Sequence, residues 1–138
     1  MKKLLIASIL LLSGCSVIQP FIDRFTIAPF DPNEYALINQ IRTTSIIAKP
    51  LCPSKAETKP YVDAVYAFSY RLKNYSEHLP DNDQTIKPVN LLFTLANDLN
   101  TRYKAEGDVN KTYCELKLQS ISDAANSIQR AIAKRPRP

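Results

Sequence analysis

Three stretches of this chain place apolar residues at alternating steps of three and four. Tyr61, Val65, Phe68, Leu72, Tyr75 and Leu79 form one line. Val89, Leu92, Ala96, Leu99 and Tyr103 form a second, and Cys114, Leu118, Ile121, Ala125, Ile128 and Ile132 a third. A mean step of 3.5 residues is the period of helices packed side by side in a bundle, and strand-like alternation is absent. Leu37, Ile38, Ile41, Ser45 and Ala48 mark an earlier helix of the same kind. The spacing predicts an all-α chain: a small up-down bundle of about four helices.

Ten prolines and only two glycines punctuate these segments. Asp31-Pro32-Asn33-Glu34 opens the first helix, with Asp31 as cap, Pro32 at the first helical position and Glu34 placed to complete a capping box. That helix ends before Pro50. Ser54 and Glu57 imitate a second capping box, but Pro60 predicts either a kink or a later start near Thr58. Pro80 and Asp81-Asn82-Asp83 stop the second helix. The third is expected from about Thr85, with Pro88 in its first turn and Gly107 as its stop. The fourth runs from near Asn110 or Thr112 toward Pro136. Tyr66, Ala67 and Tyr70 widen the apolar face of the second helix, which predicts a central position for it.

The N-terminus has a different character. Met1-Lys2-Lys3 is basic, and Leu4 to Leu12 is an apolar run of about nine residues, too short to span a bilayer. Leu12-Ser13-Gly14-Cys15 then resembles the lipobox of bacterial lipoproteins. An ordinary secretory signal would need only the small residues before the cut. The resemblance implies removal of residues 1–14, a diacylglyceryl group on the Cys15 thiol, and an acylated residue as the new N-terminus. Two or more acyl chains, at about 0.8 kcal/mol per buried CH₂, give stable anchoring. Ser16 follows; in enterobacterial lipoproteins an Asp there retains the protein at the inner membrane, so the resemblance implies the periplasmic face of the outer membrane. Lys2 and Lys3 leave with the signal, and the formal net charge falls from +5 to +3. So mild a charge makes no demand for nucleic acid.

Residues 15–30 would then be a lipid-anchored tether, and 31–138 the bundle with its basic tail. Val17, Ile18, Phe21, Ile22 and Phe25 recur at helical spacing around Asp23 and Arg24. The tether either lies in the membrane interface or folds back over apolar surface of the domain. Fully extended, it would reach roughly 50 Å.

Cys52 and Cys114 remain as an even pair for an oxidising compartment. In an up-down-up-down bundle, the first helix ends and the fourth begins at the same end. Both thiols therefore meet there, as a disulfide requires. A redox pair is the alternative reading, but the two cysteines are distant in sequence and no Cys-x-x-Cys occurs. The tether and the last helix share the opposite end. This puts Arg130, Lys134, Arg135 and Arg137 near the membrane, either as contacts to anionic groups or as solvated cations suited to a helix C-terminus.

Catalytic signals are thin. His78 is the only histidine and sits at a helix end, so neither a metal site nor a cofactor is expected. Asp98, Glu106, Asp108, Glu115 and Asp123 read as solvated helix faces. No glycine-rich phosphate loop occurs. The chain reads as a non-enzyme that binds the membrane through its lipid and a protein partner in the periplasm. Tyr66, Tyr70 and Arg71 would form a partner contact if exposed, and otherwise bury against the first helix or the tether.

The short lipoprotein signal, the aromatic tether, the helix ending near Cys52 and the run Tyr113-Cys114-Glu115-Leu116-Lys117 together resemble small lipoproteins of tailed phages. That resemblance implies two further roles: lysis as an outer-membrane spanin subunit, or exclusion of superinfecting phage. The usual spanin outer subunit is shorter, rich in proline and poorly structured, and a stapled bundle departs from it.

Overall fold

A computed structural model describes residues 28–105 and 107–138. Cys15, the signal segment, tether residues 16–27 and Glu106 lie outside the described residues. Among the described residues four α-helices follow in order: α1 Pro32–Ala48, α2 Lys55–Glu77, α3 Asp83–Ala105 and α4 Lys111–Ala133. A 3₁₀ turn, Lys49–Leu51, extends α1 across Pro50.

The caps agree with the sequence. Asp31 accepts a hydrogen bond from the Glu34 amide at 2.8 Å, and Pro32 occupies the first turn. Ser54 accepts from Glu57 N–H, and Asn110 from Tyr113 N–H. Helix α2 therefore begins at Lys55, and the expected later start near Thr58 does not occur. Pro60 is the sixth residue of α2, and Pro88 is likewise the sixth of α3, which begins at Asp83 rather than Thr85. Each proline forfeits one bond to the carbonyl four residues earlier, at Ala56 and Gln84. All four residues are exposed, so water can satisfy the orphaned groups.

The helices form a square. Each packs on its neighbours in sequence, α4 closes against α1, and the diagonal pairs do not approach. No helix is central, so the expectation for α2 is corrected. The core is the set of inward stripes. Every apolar residue read from the patterns of α3 and α4 is buried, with Leu92, Leu99, Tyr103, Leu118 and Ile121 fully so. In α2 the stripe is displaced by one position. The buried line is Thr58, Val62, Val65, Ser69, Leu72 and Ser76, while Tyr61, Phe68 and Tyr75 are half-buried at its edge toward α1. The hydroxyls on this line are satisfied: Ser69 donates to the Val65 carbonyl at 2.7 Å and Thr58 to the Leu51 carbonyl at 2.7 Å.

The up-down order sets two ends. At the upper end Cys52 and Cys114 form the disulfide, with Cα atoms 6.0 Å apart and a sequence separation of 62. The Tyr103 hydroxyl lies 3.0 Å from Cys114 Sγ. Asp108, read as a helix-face carboxylate, instead lies in the α3–α4 loop and accepts from the first amide of α2, Lys55 N–H, at 2.7 Å.

Candidate functional site

At the lower end two charges meet in the interior. The Glu34 side chain is fully buried and that of Arg135 is 7% exposed, and they pair at 2.8 Å. The capping-box pattern predicts a Glu34 side chain facing back toward its cap; the carboxylate turns inward instead. Its other oxygen accepts from Ser76 Oγ at 2.8 Å and Asn82 Nδ2 at 3.0 Å. Arg135 also donates to Asn82 Oδ1 at 2.7 Å and to Thr85 Oγ1. The network thus joins α1, α2, the α2–α3 turn, α3 and the C-terminal tail. With so many hydrogen-bond partners, it is a structural tie rather than a reactive carboxylate.

The basic tail does not act as one group. Arg135 is consumed by Glu34, so it does not belong with the exposed cations. The Arg137 guanidinium lies over the Phe30 ring at 5.2 Å from its centre. Arg130 and Lys134 are exposed, and Lys134 lines one groove with exposed Asp81. The tail is also bonded to the entering chain, because Phe30 N–H donates to the Pro136 carbonyl at 2.8 Å.

The aromatic residues of α2 are assembled on the outer surface. Tyr66 and Tyr70 stack with ring centres 6.5 Å apart. Phe93 of α3 meets Tyr66 at 5.9 Å and Tyr70 at 6.1 Å. Of the two partners expected to bury these tyrosines, α1 does not: they meet Phe93 of α3, and Tyr70 remains 50% exposed, while the tether lies outside the described residues. Lys104 lies over the Tyr66 ring at 5.4 Å. Around the corner, Tyr70, Arg71 and Tyr75 of α2 and its C-cap His78 border a shallow groove with Leu37 of α1. The surface therefore carries four aromatic rings and exposed Arg71. The nearby carboxylates Asp63 and Glu77 are paired to Lys59 and Lys73. Phe93 escapes a reading of the sequence, since an aromatic one position from a buried leucine reads as core.

Among the described residues, two titratable groups are perturbed. Burial alone would raise Asp63, but hydrogen bonds from Lys59 and Asn100 hold it below the ordinary carboxylate value. Burial pushes the Tyr103 phenol up, and the charge of Asp108 adds to this. His78 Nδ1 lies 2.7 Å from the Asn74 carbonyl at the end of α2. Among the described residues no group of three metal-ligating side chains converges. No helix among them is long and apolar enough to cross a membrane. No family model, curated protein or solved structure matches this chain.

Proposed function

We propose that the chain is a non-enzymatic, lipid-anchored interaction module on the periplasmic face of the outer membrane. The lipobox-like run ending at Cys15 supplies the anchor in this reading, and the bundle presents a binding surface. The observation that carries the binding role is the Tyr66–Tyr70–Phe93 cluster with Arg71 beside it. Aromatic residues and arginine are the side chains enriched where proteins meet. A tyrosine left half-exposed, in a chain that at least partly buries its other described rings, contributes little to the fold.

The anchor is tested by fractionation. Cys15→Ser should leave a folded, disulfide-bonded protein that no longer sediments with membranes. A variant that still sediments would remove the lipid from the reading. The surface is tested by placing a photo-crosslinking residue at Tyr70 or, as a control, at Lys111 on the far end of α4. A discrete periplasmic adduct at position 70 but not at 111 is the expected result. Equal labelling at both positions, or none at either, would sink the binding surface.

A further inference from the structure

The groove between α1 and α2 carries the aromatic surface onto a second side of the bundle. It has a volume of about 500 Å³ and is bordered by Leu37, Tyr70, Arg71, Asn74, Tyr75 and His78. Leu37 and the rings of Tyr70 and Tyr75 supply its apolar surface. Tyr70 belongs to both features, since it also meets Tyr66 and Phe93. The Tyr75 side chain is held in place: its hydroxyl donates to Asp31 at 3.0 Å and accepts from Asn33 Nδ2 at 3.3 Å. A wall fixed before binding spares a ligand the cost of ordering it.

The polar side chains along this groove lack partners. Arg71 is exposed, with no ion pair or hydrogen bond among the described residues, and the Asn74 side-chain amide has none there either. His78 Nδ1 lies against the Asn74 carbonyl, which leaves Nε2 over. Arg71, Asn74 and His78 recur at steps of three and four, so they follow one face of the helix. The neighbouring carboxylates, by contrast, are engaged. Glu77, next to His78 in sequence, pairs with Lys73. Asp31 accepts from the Tyr75 hydroxyl and from the Glu34 amide. Toward the other end of α2, Asp63 pairs with Lys59, and Lys104 lies over Tyr66. An apolar seat bordered by donors left to solvent, beside acids already neutralised, complements an apolar side chain flanked by carboxylates.

We propose that this groove takes an acidic segment of a partner protein. One bulky apolar side chain of that segment sits against Leu37, Tyr70 and Tyr75, and a carboxylate beside it accepts from the Arg71 guanidinium, whose fork of donors matches two carboxylate oxygens. The proposal rests on the binding role given above and names the chemistry of the partner. From Tyr66 to His78 the helix rises about 18 Å, a length covered by about twelve helical or six extended residues. A second copy of this chain does not supply the same chemistry. Besides Tyr70, the exposed large apolar residues among those described are Ile46, Ile47, Leu91 and Leu116. Ile46 and Ile47 lie between Arg42 and Lys49, and Leu91 is one turn from Lys87. Leu116 stands between Lys117 and Glu115, and Glu115 is paired to Lys111. Each would bring a cation toward Arg71.

The test selects binders from a random dodecapeptide display library on the full chain carrying Cys15→Ser, so it reads the groove whether or not Cys15 is ever acylated. Enriched peptides should carry an aromatic or large aliphatic residue with Asp or Glu within one helical turn of it. Their affinity, read by fluorescence anisotropy, should fall about tenfold or more in Arg71→Glu and in Tyr70→Ala, both at exposed positions, and stay unchanged in Lys111→Glu. Added salt should weaken it. Neutral or basic peptides that still lose their affinity in Tyr70→Ala would overturn the acidic partner while leaving the binding surface standing. Acidic peptides that bind Arg71→Glu as well as the parent would overturn the placement in this groove. No enrichment at all overturns the proposal, and so does self-association in sedimentation that Tyr70→Ala abolishes, which would give the groove to a second copy. Crosslinking at Tyr70, described above, decides separately whether the surface binds a protein.

Discussion

Replacing Arg135 tests how much a buried ion pair holds the lower end together. In Arg135→Met the aliphatic stem is kept and the guanidinium is lost. Glu34 then remains fully buried, with Ser76 and Asn82 as its hydrogen-bond donors and no opposing charge. Asn82 Oδ1 and Thr85 Oγ1 each lose a donor as well. Removing one partner of a buried pair typically costs about 3–5 kcal/mol, a large share of the roughly 5–15 kcal/mol that holds a domain of this size. The assay is urea unfolding monitored by circular dichroism under oxidising conditions. With a slope of about 1.5–2 kcal/mol/M, the midpoint should fall by roughly 1.5–3 M. Glu34→Met alone should cost a comparable amount by stranding Arg135. The double variant should cost less than the sum of the two, because no charge is left buried and unpaired. A midpoint shift under roughly 0.5 M in Arg135→Met would put the pair in the class of exposed salt bridges and refute this account of the lower end.

Reducing the disulfide should lower stability by about 4 kcal/mol on the chain-entropy model for a loop of this size. Because the two ties lie at opposite ends of helices about 35 Å long, that loss should add to the loss in Arg135→Met within about 0.5 kcal/mol; a larger discrepancy would mean that the ends communicate. Tyr103 has its phenol raised by burial, so the stability it contributes is fully present below about pH 10 and is lost as pH rises through its folded value. Tyr103→Phe should therefore flatten the alkaline limb of the stability–pH curve, and an unchanged limb would contradict the burial argument. The unlipidated chain should bind anionic vesicles no more than neutral ones, because Arg135 is consumed by Glu34, Arg137 lies over Phe30 and Lys134 shares its groove with Asp81. Salt-sensitive binding, lost in Arg130→Glu with Lys134→Glu, would restore a membrane role for the tail.

Helices α3 and α4 are legible in the sequence because their inward positions are large and apolar, so hydropathy and burial report the same line. Helix α2 reads one position off for a physical reason. Its inward line carries Thr58, Ser69 and Ser76, whose hydroxyls are satisfied internally, and a hydropathy pattern therefore settles on the tyrosines beside them. The buried ion pair escapes the pattern because charged residues read as solvent-facing. A signal for it does exist. Glu34 extends the stripe Ile38, Ile41, Ser45, Ala48 by one step of four. Arg135 continues Ile128 and Ile132 by a step of three, and Ser76 and Thr85 continue their own stripes. A polar residue that keeps a core period at one end of every helix marks a buried polar layer. The Tyr66–Tyr70–Phe93 surface is half legible: the two tyrosines stand out, but their ring partner comes from another helix, and only the antiparallel register supplies it.

The distribution of strong ties also bears on how such a bundle can bind anything. At the upper end the disulfide is backed by Tyr103 against Cys114, by Thr58 against the turn after α1, and by Asp108 on the start of α2. At the lower end one carboxylate and one guanidinium gather groups from all parts of the chain that meet there. Along the sides the ion pairs are mostly one-turn pairs within a helix, which hold no two helices together. A carrier that opened to admit a ligand would have to part its helices at one end, against either a covalent bond or a desolvated ion pair with its hydrogen bonds. A protein that binds on its outside has no such conflict, since rigid ends fix the spacing of its side faces. The placement of these ties therefore favours contact through the α1–α2–α3 surface over a cavity within the core.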